Sequence, residues 1–367
     1  MGDVRMRLQE AVDRLVEDGT ERGIQVAVYR HGELVADVVA GTADPGSGRP
    51  VTSGTLFYNF SIGKGAASAV AHVLAERGLF TYDTPVAELW PEFAAHGKGG
   101  VTVRHVLTHS AGLPGVPPGT TVEDLCDWDR MCAGLAGAEL WWEPGTRVGY
   151  HAYSFGYLIG EIVRRATGKP ISQVLREEVT GPLGVADELY FGVPESEHHR
   201  LARLEDAEGT AEMMGSLPPD LPMFRAGGPQ LWPCAALGNR TDVLTADIPA
   251  GGKTTARAIA RMYAAMIGEV DGVRLISPGR LKEVSSTAAE GVDAVFGNES
   301  RWGLGFGLGR PDVTKEVPGA FGMSGAGGSH AYADTATGMT LAVTKNRLSL
   351  DFSTVNQINE LVLGPDA

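Results

Sequence analysis

A serine and a lysine lie three positions apart in the stretch FYNFSIGKGAA, residues 57–67. If Ser61 opens a helix, this spacing puts Lys64 on the same face, one turn further along. A serine hydroxyl becomes nucleophilic when a base accepts its proton, and lysine is a base where burial or nearby positive charge favours its neutral form. A helix N-terminus also directs free N–H groups toward a developing oxyanion. The pair therefore suits covalent acyl transfer, although the same spacing also arises by chance behind an N-capping serine.

Further along the chain, four segments follow this pair in a distinctive order. They are VTVRHVLTHSAGLPG, WWEPGTRVGYHAYSFGYLIGEIVRRATGKPI, PLGVAD and FGMSGAGGSHAYAD. In this order and spacing, residues 20–350 or so resemble the serine β-lactamase and penicillin-binding-protein superfamily, whose nucleophile motif is SxxK. The resemblance is to its class C β-lactamase-like branch, which includes family VIII esterases and related acyltransferases.

The resemblance implies a role for each matching residue. Ser61 matches the nucleophile that becomes acylated, and Lys64 matches its activating partner. Tyr150 matches the tyrosine that moves a proton between the nucleophile, the lysine and the leaving group. The segment MSGA at 323–326 matches a strand that lines the site, and the N–H groups of Ser61 and Ala326 would then form the oxyanion hole.

Two positions depart from the family pattern. The second motif reads Tyr150-His151-Ala152 where class C enzymes have tyrosine, any residue and asparagine. The third motif begins with Met323, where β-lactamases have lysine and many esterases have histidine. Methionine cannot pair with a substrate carboxylate or donate a hydrogen bond. We therefore expect a neutral ester, thioester or activated amide as substrate, with β-lactamase-like or peptidase activity as the alternative.

Several side chains are predicted to contact the substrate. His151 is a possible replacement for the missing donor, and alternation along the chain could equally direct it away from the site. Arg301, Arg310 or Lys345 could supply the missing positive charge. The predicted substrate contacts are Met323, Ser324, Gly325, His151, Trp232 and Phe306.

The elements that must position these residues can be predicted from periodicity. Apolar residues alternate around a turn in IQVAVYRHGELVADVVAG and again in SHAYADTATGMTLAVTKN, which predicts a hairpin near each end of the chain. Helical periodicity marks both termini and most of the segment between the hairpins. The sequence therefore predicts an α+β fold, with an antiparallel sheet closed by N- and C-terminal helices and a mostly helical second lobe.

These patterns also suggest how the chain is divided. Residues 1–58 plus 296–367 are predicted to form the α/β sheet lobe, and residues 59–295 the mostly helical lobe. A cap-like loop is expected near 195–239, because that segment has little periodicity and is rich in glycine and proline. One catalytic unit is expected, with its site between the lobes.

Composition limits the partners and the compartment. The chain has 31 Lys plus Arg against 45 Asp plus Glu, a formal net charge of −14, so nucleic acid and anionic membranes are not expected partners. No secretory signal or membrane span is recognisable. Three scattered cysteines suit reduced thiols, and the histidines lack metal-site spacing. We expect a cytoplasmic protein without a cofactor or metal.

The sequence thus predicts a serine hydrolase, esterase-like, or an acyltransferase that forms an acyl-enzyme at Ser61. Its partners would be a small-molecule acyl substrate and, for an acyltransferase, an alcohol or amine acceptor. A catalytically silent binding protein on the same scaffold is the alternative from another class, because both outer motifs have lost a polar residue.

Overall fold

The structure is a computed structural model that describes residues 2–310 and 319–363. The predicted sheet lobe includes Met1, residues 311–318 and residues 364–367, which lie outside the described residues.

One sheet dominates the fold. Among the described residues it has nine strands, and every neighbouring pair is antiparallel, in the order β3-β2-β1-β9-β8-β7-β6-β5-β4. The strands are Gly23–Arg30 (β1), Glu33–Asp44 (β2), Arg49–Pro50 (β3), Ala289–Val292 (β4), Glu299–Trp302 (β5), Gly307–Leu308 (β6), Ala320–Gly325 (β7), Ser329–Asp334 (β8) and Met339–Lys345 (β9).

The two predicted hairpins are confirmed and meet in the middle of the sheet. Strand β1 pairs with β2 on one side and with β9 on the other, with Val26 opposite both Val38 and Val343. Seven of the eight β1 residues are buried, because helices cover both faces of the sheet there. The first and last parts of the chain therefore form one continuous sheet.

Six α-helices of ten or more residues occur in the described part of the chain. They are Gly2–Glu17 (α1), Ile62–Glu76 (α2), Trp128–Gly137 (α3), Ser154–Thr167 (α4), Ala256–Ile267 (α5) and Ser353–Leu363 (α6). The predicted terminal helices, α1 and α6, pack together on one face of the sheet through residues such as Leu8, Val12 and Ile358. Helices α2 and α5 lie against the other face.

Helix α2 is the central helix of the fold. Fourteen of its fifteen residues are buried, and most of them are alanine, glycine or serine. Small side chains let neighbouring elements approach on every side, and a helix that is apolar all round belongs in a core. Its first turn is therefore held rigidly between the sheet and helix α4.

The helical region also contains short elements. The short helices are Val86–Leu89, Val103–Leu107, Val122–Leu125, Ile171–Leu175, Thr210–Ser216, Pro222–Ala226, Ala235–Gly238, Thr241–Thr245 and Pro278–Val284. The strands Phe57–Tyr58, Lys253–Thr254 and Leu189–Tyr190 form a small sheet, and Glu205–Asp206 pairs with Arg347–Leu348.

The predicted lobe boundary at residue 295 does not coincide with the edge of the sheet. Strand β4, Ala289–Val292, pairs with β5, and helix α5 packs on β1, β8 and β9. Both lie within 59–295, the segment assigned to the helical lobe. The predicted cap at 195–239 contains short helices as well as loops, because their few turns are too short to give a periodic signal.

Two further observations concern membrane spans and cysteines. No helix in the described residues combines the length and apolar character that crossing a membrane requires. All three cysteines, Cys126, Cys132 and Cys234, are free thiols.

Candidate active site

The chain makes a sharp turn immediately before Ser61. Phe60 has φ +45°, a left-handed conformation that is strained for a bulky residue. Its carbonyl accepts hydrogen bonds from the N–H groups of Gly63 (3.0 Å) and Gly252 (2.9 Å), which hold the turn in place. Ser61 follows at the N-cap of α2 and is half-buried at the wall of the main pocket.

Lys64 reaches back one turn to the serine. Its Nζ donates to Ser61 Oγ at 3.0 Å and to the carbonyl of Ala250 at 3.3 Å. The side chain is 1% exposed, and desolvation lowers its pKa from 10.5 to about 7. A large fraction of Lys64 is therefore neutral at physiological pH and able to accept the serine proton.

Tyr150 is the third member of the group. It lines the same pocket as Ser61, and its ring centroid lies 4.9 Å from Lys64 Nζ. The ring stacks on Trp302 at 5.7 Å. Burial raises the pKa of Tyr150 above its usual value, although the Ser61 side chain opposes the shift. The phenol therefore stays protonated and can donate to a leaving group.

Strand β7 brings the third motif to the serine. A side chain at Gly325 would lie 2.1 Å from the carbonyl oxygen of Asn59, so glycine permits the strand to approach the segment before α2. Ala326 follows at the pocket wall, as Ser61 does. Among the described residues, no carbonyl accepts from the N–H of Ser61 or Ala326. Both groups are available to an oxyanion.

The pocket beside these residues has a volume of about 580 Å³. Aromatic and aliphatic side chains form most of its wall, including Tyr153, Trp232, Phe296, Trp302 and Phe352. The predicted contacts Met323, Ser324, Gly325 and Trp232 all line it. The structure therefore brings these four together with the catalytic candidates.

Phe306 does not line the pocket, contrary to the prediction. It is fully buried and packs on Phe321 and Tyr263, with ring centroids 5.1 and 5.7 Å away. Gly305, with φ +82°, turns the chain so that Phe306 enters the core between the sheet and α5. The repeated glycines indicated a close approach of the chain to other atoms. They did not show in which direction the Phe306 side chain points.

His151 is also directed away from the pocket. It is fully buried; its Nδ1 donates to the Gly149 carbonyl at 2.6 Å, and its Nε2 accepts from the Leu113 N–H at 3.1 Å. Burial lowers its pKa from 6.5 to about 4, so the ring is neutral. Both ring nitrogens have hydrogen-bond partners within the protein, so His151 cannot be the donor that replaces the missing side-chain amide.

The three candidate cations have different positions. Lys345 is buried and pairs with Glu21 at 2.6 Å, and Arg301 lies 3.4 Å from Glu290 on the edge of the sheet. Arg310 lines the pocket, and of the described pocket-lining residues it is the one with a formal charge. Arg310 is therefore the cation that an anionic substrate would meet.

Two residues near the site were not predicted. His330 lines the pocket and contacts Ser324 through Nδ1 at 2.8 Å, because the two lie opposite each other on β7 and β8. Asp293 accepts a hydrogen bond from the main chain of Tyr150 at 2.8 Å. The only sequence signal for His330 was its place in the hairpin segment, and Asp293 had none, because it lies 143 residues from Tyr150.

Ser61, Lys64 and Tyr150 at one pocket, beside an antiparallel sheet that closes with two terminal helices, define a serine acyl-transfer protein of the β-lactamase type. The chain belongs to the Beta-lactamase family, whose sequence profile matches residues 8–362.

Known proteins resemble this chain both in sequence and in structure. The chain is 36% identical over 344 residues to the "Esterase/beta-lactamase LipL" of Mycobacterium tuberculosis, which covers 89% of this chain and 77% of LipL. It is 27% identical to "Esterase EstB" of Burkholderia gladioli over 93% of this chain and 90% of EstB. A crystal structure of a family VIII carboxylesterase superposes with a TM-score of 0.89 at 34% identity, covering 98% and 97% of the two chains.

Proposed function

We propose that the protein is an esterase-like serine hydrolase that works through an acyl-enzyme at Ser61. The observation that carries this proposal is the 3.0 Å contact between Lys64 Nζ and Ser61 Oγ, at a lysine with a pKa of about 7. Neutral Lys64 takes the hydroxyl proton as Oγ attacks the acyl carbon. The N–H groups of Ser61 and Ala326 stabilise the oxyanion, and the Tyr150 hydroxyl gives its proton to the leaving group and regains one from protonated Lys64. Water then attacks the acyl-enzyme, which releases the acid and restores the Ser61 hydroxyl.

The known relatives support hydrolysis over a silent binding role. LipL and EstB are both named as esterases, and the family VIII carboxylesterase shares 34% identity with this chain. Loss of the catalytic group would be expected in a silent scaffold, whereas here the base contacts the nucleophile and lies beside the ring of Tyr150.

The decisive experiment is labelling with a serine-directed phosphonate, followed by mass spectrometry and assay on p-nitrophenyl esters. We expect one adduct, at Ser61, and we expect Ser61→Ala to lose all but about a thousandth of wild-type kcat while keeping the fold. A variant with more than a tenth of wild-type kcat would overturn the proposal. Ser324→Ala is the matched control, because Ser324 lines the same pocket without a lysine partner.

The substrate that fits this pocket is a neutral acyl ester. Met323 is 3% exposed and offers a thioether where a charged motif residue would pair with a carboxylate. Most of the remaining wall is aromatic or aliphatic. Burying an unpaired carboxylate there costs several kcal/mol, so neutral short or medium acyl chains are favoured.

Hydrolysis of β-lactams is a second candidate, and the position of Arg310 favours it. The comparison is kcat/KM for nitrocefin against p-nitrophenyl butyrate in wild type, Met323→Lys and Arg310→Ala. We expect wild type to prefer the ester by at least a hundredfold, and Met323→Lys to gain on nitrocefin alone. Equal wild-type efficiency on both, lost in Arg310→Ala, would instead establish Arg310 as a carboxylate anchor.

Acyl transfer to an alcohol or amine is proposed as a competing fate of the same intermediate. Water and acceptor compete for one acyl-enzyme, so added alcohol should raise the ester-exchange product without changing the acylation rate. Product ratios at increasing alcohol concentration measure this competition.

The cytoplasm is the proposed compartment, supported by the three free thiols, and cell fractionation tests it.

A further inference from the structure

A buried carboxylate lies directly behind the proposed proton donor. Asp293 is 3% exposed and follows strand β4 in the loop 293–298. Its Oδ2 accepts from the Tyr150 N–H at 2.8 Å. Its Oδ1 accepts from the N–H groups of Val295 (2.8 Å) and Phe296 (2.9 Å). Three main-chain donors therefore converge on one acid.

The loop that Asp293 organises is a wall of the pocket. Val295, Phe296 and Asn298 line it, and the ring of Phe296 meets the Tyr150 ring edge-on at 5.8 Å. A further bond joins the Ala294 N–H to the Val148 carbonyl at 2.8 Å. Asp293 thus ties the pocket wall and the segment that carries Tyr150 into one unit.

We propose that Asp293 is a positioning residue, whose carboxylate holds the main chain of Tyr150 against the pocket wall. This inference rests on the proposed function, because it assigns Asp293 an effect through the proton that Tyr150 donates.

Charged and titratable groups also surround the side chain of Tyr150. Lys64 approaches from α2, with Nζ 4.9 Å from the Tyr150 ring centroid. His109, in the loop after the helix Val103–Leu107, has its ring centroid 4.7 Å from that of Tyr150. Burial lowers the pKa of His109 well below 6.5, so that ring carries no charge. Asp293 is the acid that raises the pKa of Tyr150, after burial itself. Removing its charge should ease loss of the phenol proton.

The test variant is Asp293→Asn, which keeps the shape and removes the charge. We expect kcat on ethyl butyrate, whose alkoxide leaving group needs the Tyr150 proton, to fall about tenfold with little change in KM, and kcat on p-nitrophenyl butyrate, whose leaving group needs no proton, to change less. In a Tyr150→Phe background the same substitution should cost almost nothing, since Asp293 acts through the phenol. Asp293→Glu retains a carboxylate acceptor, so it should recover part of the loss on ethyl butyrate.

Asp334→Asn is the matched control. Asp334 is 1% exposed and accepts from the N–H groups of Ala336 (2.9 Å) and Thr337 (3.3 Å) in the β8–β9 turn, outside the pocket. Its substitution should alter thermal stability but leave kcat on both esters unchanged.

Two results would overturn the proposal. One is an Asp293→Asn variant that loses the same factor on both esters and again in the Tyr150→Phe background, which indicates a structural role only. The other is failure of both Asp293 variants to fold, as judged by thermal unfolding. Phosphonate labelling of Ser61 in the same proteins keeps the outcomes separate, because loss of the proposed function removes the label in wild type as well.

Discussion

The chain contains buried lysines in contrasting environments. Lys345 pairs with Glu21, whereas Lys64 and Lys253 donate to neutral oxygen atoms. Burial lowers the pKa of both Lys64 and Lys253 to about 7. A lowered pKa therefore does not by itself mark a base. Lys64 differs because one of its acceptors is a serine hydroxyl at the pocket wall.

This difference predicts a specific pH dependence. Lys64 must be neutral to accept the serine proton, so kcat/KM should rise with pH through about 7 and level off above it. Lys64→Arg should lose at least a hundredfold in kcat/KM at every pH, since a guanidinium stays protonated. A pH series on p-nitrophenyl butyrate measures both.

Lys253→Met is the control for that series. It removes a second buried lysine with a pKa of about 7 that donates to the carbonyls of Phe191 and Val243. We expect lower stability with an unmoved acidic limb. An acidic limb that shifts in Lys253→Met and persists in Lys64→Arg would contradict the assignment of Lys64 as the base.

At the level of elements, alternation and helical periodicity in the sequence predicted the hairpins and helices that depend on local contacts. The first hairpin was predicted because apolar residues alternate on both sides of a turn, and the structure turns there at His31 and Gly32. Helix α2 was predicted from its helical pattern of apolar residues. Strand β4 was missed because its register depends on β5 and it shows little apolar alternation.

Gly325 carries a prediction at this scale. A methyl group there would lie 2.1 Å from the Asn59 carbonyl oxygen, a backbone atom that cannot move aside without shifting the segment before Ser61. We expect Gly325→Ala to lower kcat at least tenfold, with a smaller change in KM, because the two oxyanion N–H groups separate.

The control is Gly137→Ala at the end of α3, where an added methyl group has no atom within 4 Å. It should retain wild-type kcat. Steady-state kinetics and thermal unfolding of both variants decide the matter; wild-type kcat in Gly325→Ala would show that the strand approach is not needed for catalysis.

At the level of the whole molecule, the site is assembled from distant segments. The order of motifs let the sequence identify Ser61, Lys64, Tyr150 and the third motif as one group. It did not reveal Asp293 or His330, whose contacts with the site require the register of the sheet and the path of a loop. Side-chain direction, as for Phe306, also depends on packing between elements rather than on the local pattern.

The cap segment is predicted to set the acyl chain length. Trp232 lines the pocket. The residue before it, Leu231, accepts a hydrogen bond at its carbonyl from the Tyr153 hydroxyl at 2.5 Å. Trp232→Ala should move the preference among p-nitrophenyl esters toward acyl chains longer by about two to four carbons, because removing an indole opens space at the wall.

Met213→Ala is the matched control for the cap. Met213 lies in the same segment, is 46% exposed and does not line the pocket. Its chain-length profile should match wild type. If Trp232→Ala also keeps the wild-type profile, another wall of the pocket determines the acyl length.

The central position of β1 has a consequence for biosynthesis. Its partner β9 lies more than 300 residues later, so the ribosome needs roughly half a minute after β1 emerges to deliver that strand. During this interval one edge of an apolar strand has no neighbour and can pair with other nascent chains. Ala326 also emerges late, so translation yields no complete oxyanion hole until the last part of the sheet has left the ribosome. The nascent chain therefore needs protection from aggregation while it is still inactive.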